Sequence, residues 1–206
     1  NKINNIATQK FGAKYAEVRA QELSKTMFTM KEGRVEAAKQ GIENGVALRA
    51  LVNGAWGFAS VGSLNSEILM AALSDACTMA KTASLQLKNP IKLAETKPVE
   101  DHVQIKPKKN PKEISIEDKI KTASATNHFA LNLDKRVKSC TIDYLDLSGT
   151  TYFANTEGTY IEQDNLYVWS KMTASAKQNG VFTFSREEIG STAGYEIFDV
   201  ETPEAL

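Results

Sequence analysis

Few residues in this chain could carry catalysis. Histidine occurs twice, as His102 and His128, and cysteine twice, as Cys77 and Cys140. Together they could offer zinc a ligand set, but structural zinc sites pair ligands about two to five residues apart, and none of these lies that near another. The G-x-x-x-x-G-K-[ST] phosphate loop, the G-x-G-x-x-G fingerprint, the H-E-x-x-H helix and the G-x-S-x-G elbow are all absent. A Ser/His/Asp triad has no fixed spacing, so either histidine stays open as a base, the ordinary alternative being a solvated side chain. Asp143, Asp146, Glu157, Glu162 and Asp164 gather acid late in the chain without calcium-loop spacing, which reads as a solvated face. Lys106, Lys108, Lys109 and Lys112 alternate with Pro107 and Pro111, the composition of an exposed connector. The small-residue run Gly190 to Gly194 could admit close backbone approach to a ligand or be a plain loop. The sharpest candidate is Arg49 with Trp56 and Phe58. The two aromatics share one face of a strand and the arginine precedes them on the previous one, an aromatic and cationic platform for a peptide. Core packing is the competing reading.

The elements that must position these residues follow from glycine and proline. Seven of 12 glycines lie between Gly12 and Gly62 and five between Gly149 and Gly194, while four of five prolines fall in the glycine-free middle, at 90, 98, 107 and 111. Glycine punctuates hairpins and proline interrupts helices and central strands, so two β-rich regions flank a connector. In the first, Tyr15 to Lys31 and Arg34 to Ile42 read as strands around Glu32-Gly33. Asn44-Gly45 and Asn53-Gly54 read as tight hairpin turns, with Val46 to Val52 between them and Trp56 to Val61 beyond. By the two-residue period Val46, Leu48, Ala50 and Val52 share one face and Arg49 sits on the other. Asn65 caps a helix whose apolar stripe is Ile68, Leu69, Ala72, Leu73, Ala76, Cys77 and Ala80. Ser115 with Asp118 opens a second helix to about Leu131, with Ile116, Ile120 and Ala123 as its stripe. Strands resume over Val137 to Leu147, Thr150 to Asn155, Thr159 to Ala176 and Val181 to Glu188, with turns at Ser148-Gly149, Glu157-Gly158 and Asn179-Gly180.

Segregated runs of strands and helices make the fold class α+β: two mainly antiparallel β-meanders with packed helices, joined by a Pro/Lys connector. The expected divisions are a lobe over 1–87, the connector over 88–113 and a second lobe over 114–206. The chain has 206 residues, 42% of them hydrophobic, and carries 25 basic against 25 acidic side chains. Residues 141–206 hold 3 basic and 11 acidic residues, the reverse of the mildly basic remainder. That distribution lacks the concentrated basic footprint of a nucleic-acid binder. No stretch approaches the roughly 20 apolar residues of a membrane helix. Two well-separated cysteines and the absence of a signal-like start favour a cytoplasmic setting.

Several segments, taken in order, carry a resemblance: Tyr15-Ala16-Glu17-Val18-Arg19, Val46-Ala47-Leu48-Arg49-Ala50, Asn53-Gly54-Ala55-Trp56-Gly57-Phe58-Ala59-Ser60, the Ala-rich helix from Ser66, the Tyr152 to Gly158 strand and turn, and Gly194-Tyr195-Glu196. They resemble the amino-terminal half of the TldD/PmbA metallopeptidases, also labelled modulators of DNA gyrase. The resemblance implies a half that helps form a dimer and a channel for unfolded or flexible peptides, while the carboxy-terminal half holds zinc. Family members carry a His-Glu-x-x-x-His helix, with two zinc ligands and the glutamate as general base, and a later Cys ligand. This sequence has no such helix, and Glu201 to Leu206 is similar to the opening of the segment leading towards it. A fragment without a metal site or cofactor of its own is therefore expected, zinc being implied for the full-length catalytic relative. PmbA-like relatives keep the fold without the metal motif and pair with a TldD-like subunit. A homodimer, a heterodimer with such a paralogue, and a non-catalytic assembly or peptide-binding module all stay open.

Overall fold

The computed structural model describes residues 2–200. Its elements run α1 (Lys2–Phe11), β1 (Tyr15–Lys31), β2 (Arg34–Val52), β3 (Ala55–Val61), α2 (Ser66–Ser84), β4 (Glu100–Val103), a single 3-10 turn (Pro111–Glu113), α3 (Ile116–Asn132), β5 (Val137–Asn155), β6 (Tyr160–Gln178), β7 (Val181–Ser191) and the short α4 (Ile197–Val200). The strands form one sheet of order β3-β2-β1-β5-β6-β4, with β7 also on β6. This is an α+β fold. The β2/β3 and β6/β7 pairs are antiparallel and β4 lies parallel to β6.

Two compact units divide the chain, each from three segments: 1–22, 43–104 and 150–164 in one, 23–42, 105–149 and 165–206 in the other. The long strands β1, β2, β5 and β6 each contribute residues to both units, which is why the segments interleave along the sequence.

Strand length corrects two expected turns. Neither Asn44 nor Gly45 takes a positive φ, and β2 runs straight through them. The reason is β1: Lys14 donates its backbone N–H to Leu51 at 2.9 Å, so the two strands pair well past that dipeptide. Ser148-Gly149 is likewise internal to β5. The pairings of Glu32 N–H with Cys140 and of Thr156 N–H with Ala16, at 3.0 and 2.9 Å, bracket it and hold β5 antiparallel to β1. Asn53-Gly54, by contrast, does turn, with φ of 50° and 79°, the left-handed pair that a two-residue hairpin requires.

In the first unit, Asn65 accepts from the backbone N–H groups of Glu67 and Ile68 at 2.8 and 3.3 Å and starts α2. The helix buries Leu69, Ala72, Leu73, Ala76, Cys77 and Ala80 against Ala16, Val46, Leu48, Ala50 and Val52. Ile68, assigned to that stripe, is exposed. On β3 the helix lies so close that a Cβ on Gly57 would run into the Ala76 carbonyl.

In the second unit, α3 buries Lys119, Ala123, Asn127 and Ala130; of the expected stripe Ala123 is buried, Ile120 packs half-buried against the core, and Ile116 stays outside it. It covers a core of Phe28, Met30, Cys140, Ile142, Tyr144, Leu166 and Val168. Lys119 reaches Asp146 at 2.7 Å with both side chains nearly inaccessible, and Tyr144 donates to the same carboxylate at 2.7 Å. Asp146, expected on a solvated face, is therefore a core residue. Period-two alternation in β5 assigns it the same side as Cys140, Ile142 and Tyr144.

The connector is less free than its composition predicts. Residues 88–99 are exposed and irregular, but β4 is paired, and Ile91 N–H donates to Gly54 at 2.9 Å. The lysine-rich part is anchored: Glu196 accepts from the backbone N–H groups of Lys108 and Lys109 at 3.2 and 2.9 Å, and Tyr195 N–H donates to Lys109 at 2.9 Å. The Gly194-Tyr195-Glu196 run is thus a structural corner, with the Tyr195 ring packed in the core beside Phe198.

Candidate functional site

The face of the first unit's sheet that α2 leaves free carries the side chains singled out from the sequence. Ala55, Gly57 and Ala59 point to the helix, so alternation turns Trp56 and Phe58 the other way. The β2/β3 register sets Arg49 opposite Phe58 and Leu51 opposite Trp56. The structure brings Arg49 and Trp56 together: the guanidinium lies 4.3 Å from the indole ring centroid. Phe58 is half exposed beside them.

What holds Arg49 is a neighbouring strand. Tyr15, Glu17 and Arg19 follow one another on the same face of β1. Buried Glu17 receives Arg49 Nε at 3.1 Å through one carboxylate oxygen and the Tyr15 hydroxyl at 2.8 Å through the other. Tyr15 meets the Trp56 ring edge-on at 5.8 Å. Asn155 backs the tyrosine, its amide nitrogen donating to the hydroxyl at 3.4 Å, while its carbonyl oxygen accepts the Glu157 and Thr159 N–H groups of the next turn. Burial, then the hydrogen bond to Glu17, pushes the Tyr15 phenol up to about 12. Arg19 extends the row, stacked 4.9 Å over Phe153. The result is a planar cation fixed between a carboxylate and an indole, with an exposed phenyl alongside. An arginine offers five N–H donors, so a guanidinium anchored at Nε keeps others for carbonyl or carboxylate oxygens. The arrangement can bind; it contains no activated nucleophile.

Sequence reasoning missed Glu17, Tyr15 and Asn155. The Tyr-x-Glu-x-Arg alternation was the available signal for the first two, whereas the Asn155 partnership is long-range and has none.

The remaining candidates stay apart. His102 is exposed and sits 3.6 Å from Glu162, and His128 is exposed on α3. Cys77 and Cys140 are buried in different units, where burial raises both thiols and leaves them unreactive. Among the described residues no group of three or more His, Cys, Asp or Glu could hold a metal ion.

Residues 16–80 match the model of PmbA/TldA metallopeptidase domain 1, and residues 109–206 match that of the PmbA/TldA metallopeptidase central domain. The chain belongs to the PmbA/TldD metallopeptidase family. Glu17, Arg49, Trp56 and Phe58 lie within the first match, Tyr15 one residue before it, and Asn155 within the second. Among curated relatives, the metalloprotease MJ0996 of Methanocaldococcus jannaschii is 29% identical over 90% of this chain and 41% of its own length. Metalloprotease slr0863 of Synechocystis is 27% identical over 89% of this chain and 39% of its own. The chain thus spans about two-fifths of the relatives it matches. Two solved structures share the fold. A candidate modulator of DNA gyrase from Bacteroides thetaiotaomicron matches with TM-score 0.75 and 19% identity, over 93% of this chain and 44% of that one. TldE from Thermococcus kodakarensis gives 0.75 and 15%, over 93% and 42%. The relatives' name of metalloprotease implies metal use in those proteins, and among the described residues of this chain no cluster fits a zinc centre.

Proposed function

We propose that this chain is the amino-terminal part of a TldD/PmbA-like metallopeptidase, contributing to dimerisation and to a channel for extended, flexible peptides, with the metal chemistry supplied by residues outside it. The observation that carries the reading is Arg49, clamped between Glu17 and Trp56 on an open sheet face inside a family-matched domain. A donor array fixed in this way favours main-chain carbonyls, which every peptide presents, over any one side chain. Phe58 adds apolar contact without selecting a sequence. Unfolded peptides are the substrate class that follows, and the cell interior the setting. The partner is a second copy or a paralogous subunit.

The decisive experiment uses the full-length protein and a fluorogenic unstructured peptide. Arg49→Ala is expected to raise KM about tenfold, the cost of one charge-assisted hydrogen bond, with kcat little changed. An unaltered KM with a lowered unfolding midpoint would return Arg49, Trp56 and Phe58 to a packing role. A non-catalytic PmbA-like subunit would give no turnover alone, and the same KM effect would then be read in the assembled heterodimer.

A further inference from the structure

A second concavity, in the other unit, has no place in that reading. Between α3 and the sheet of the second unit lies a cavity of about 260 Å³, just below the usual size range of small-molecule sites. Ala123 and Ile142 are buried in its wall, and Met172, Ile189 and Phe198 continue the apolar lining.

Four of its hydroxyls share one character. Thr122 donates its hydroxyl proton to the Asp118 carbonyl at 3.1 Å and Thr126 to the Thr122 carbonyl at 3.3 Å. Ser170 donates to the Asp143 carbonyl at 3.1 Å and Tyr144 to the Asp146 carboxylate at 2.7 Å. Each of these four hydroxyls gives its proton to a protein oxygen, and the fifth lining hydroxyl, Tyr195, is hydrogen-bonded to Thr122, so Thr126, Ser170 and Tyr144 are left with acceptor lone pairs to offer. Lys119 also lines the cavity, but its ammonium is neutralised by Asp146 at 2.7 Å and donates to the Thr26 hydroxyl at 3.5 Å. Two carboxylates remain. Glu188 is engaged by Arg186 at 3.0 Å and by Trp169 Nε1 at 3.4 Å. The Glu187 carboxylate, exposed at the solvent side, makes no hydrogen bond or ion pair among the described residues. The β6/β7 register sets it opposite Met172, on the cavity's own face of the strand.

We infer that this cavity binds a primary ammonium group carried on a short apolar body, the ammonium meeting Glu187 and the hydroxyl acceptors and the body filling the apolar wall. An unpaired carboxylate beside acceptor-only hydroxyls rewards a donor cation. It penalises an anion by repulsion and a neutral alcohol by the missing charge. The volume limits the body to about one large side chain. A free amine and the amino terminus of a peptide that begins with an apolar residue present the same chemistry.

The test titrates 2-phenylethylamine into the 206-residue chain at neutral pH and follows amide shifts by NMR. Saturable shifts centred on Ala123, Met172 and Ile189 are expected. 2-Phenylethanol should bind at least about tenfold more weakly, as should the amine to Glu187→Gln, since a factor of ten matches the loss of one modest charged contact. Glu187 is exposed, so that substitution leaves the fold intact, and Glu36→Gln, an exposed change outside the cavity, should leave the affinity unchanged. A peptide arm compares Phe-Ala-Ala amide with its acetylated form: binding of the free-amine peptide alone points to a peptide amino terminus, and binding confined to phenylethylamine points to a small amine. Equal affinity for amine and alcohol, indifference to Glu187→Gln, or no shift at the cavity residues would overturn the assignment.

Discussion

Lys119 and Asp146 show how much a single buried contact decides. Their side chains are 1% and 2% exposed, and each is tolerable in the core only because the other is there. Replacing Lys119 with Met leaves Asp146 buried and unpaired and is expected to cost about 3–5 kcal/mol in urea unfolding. The triple change Lys119→Met, Asp146→Leu and Tyr144→Phe should recover most of the loss, because it removes the two charges together with the buried hydroxyl that donates to Asp146. Tyr15 supplies a test through pH. Its phenol ionises near 10.0 when unfolded and near about 12 in the fold, so the neutral form is favoured by folding. That stabilisation is complete below pH 10 and is lost as pH climbs through the folded value. The unfolding midpoint should therefore fall between pH 10 and 12, and Tyr15→Phe should fall less steeply over the same window. Identical slopes in the two proteins would remove Glu17 and burial as the cause.

At the scale of elements, α2 against β3 sets the geometry of the candidate site. Gly57 permits the helix backbone to approach the strand, and that approach fixes which way Trp56 and Phe58 face. Gly57→Ala is expected to cost about 1–3 kcal/mol or more, since the new methyl meets a helix carbonyl that has no side-chain freedom to yield. Denaturant unfolding measures the loss, and the same protein should lose part of the Trp56 fluorescence signature as Arg49 shifts over the ring. The lone Gly57 was readable as a close-approach position in a strand, but the helix that approaches it was not named by any local signal.

For the whole molecule, the connector gives a kinetic prediction with internal contrast. Residues 88–99 are exposed, with few backbone hydrogen bonds, whereas the Lys106 to Pro111 stretch is held by Glu196 and Tyr195. Brief trypsin treatment should cut after Lys88 or Lys92 well before Lys108 or Lys109, because local opening precedes cleavage. Mass spectrometry of the first fragments distinguishes the two sets, and first cuts in the lysine-proline run would mean that the anchoring does not hold in solution.

The sequence by itself determined the α2 and α3 helices and the long strands but not β4 or α4, the α2 cap and, Ile68 apart, its apolar stripe, the true turns at Glu32-Gly33, Asn53-Gly54, Glu157-Gly158 and Asn179-Gly180, and the shared face of Trp56 and Phe58. All of these are local: a cap, a period or a left-handed dipeptide acts within a few residues. It also carried the family, through segments spread along most of the chain. Only the tertiary structure decided that Asn44-Gly45 and Ser148-Gly149 stay extended, because a long partner strand outweighs a dipeptide's preference to turn. Only tertiary structure made Asp146 a core residue, by bringing Lys119 to it from a helix distant in sequence. The clamp on Arg49 is of the same kind. Its charge and strand face are written in β2, but Glu17 and Tyr15 come from β1 and Trp56 from β3. A contact among three strands has no signature within any one of them.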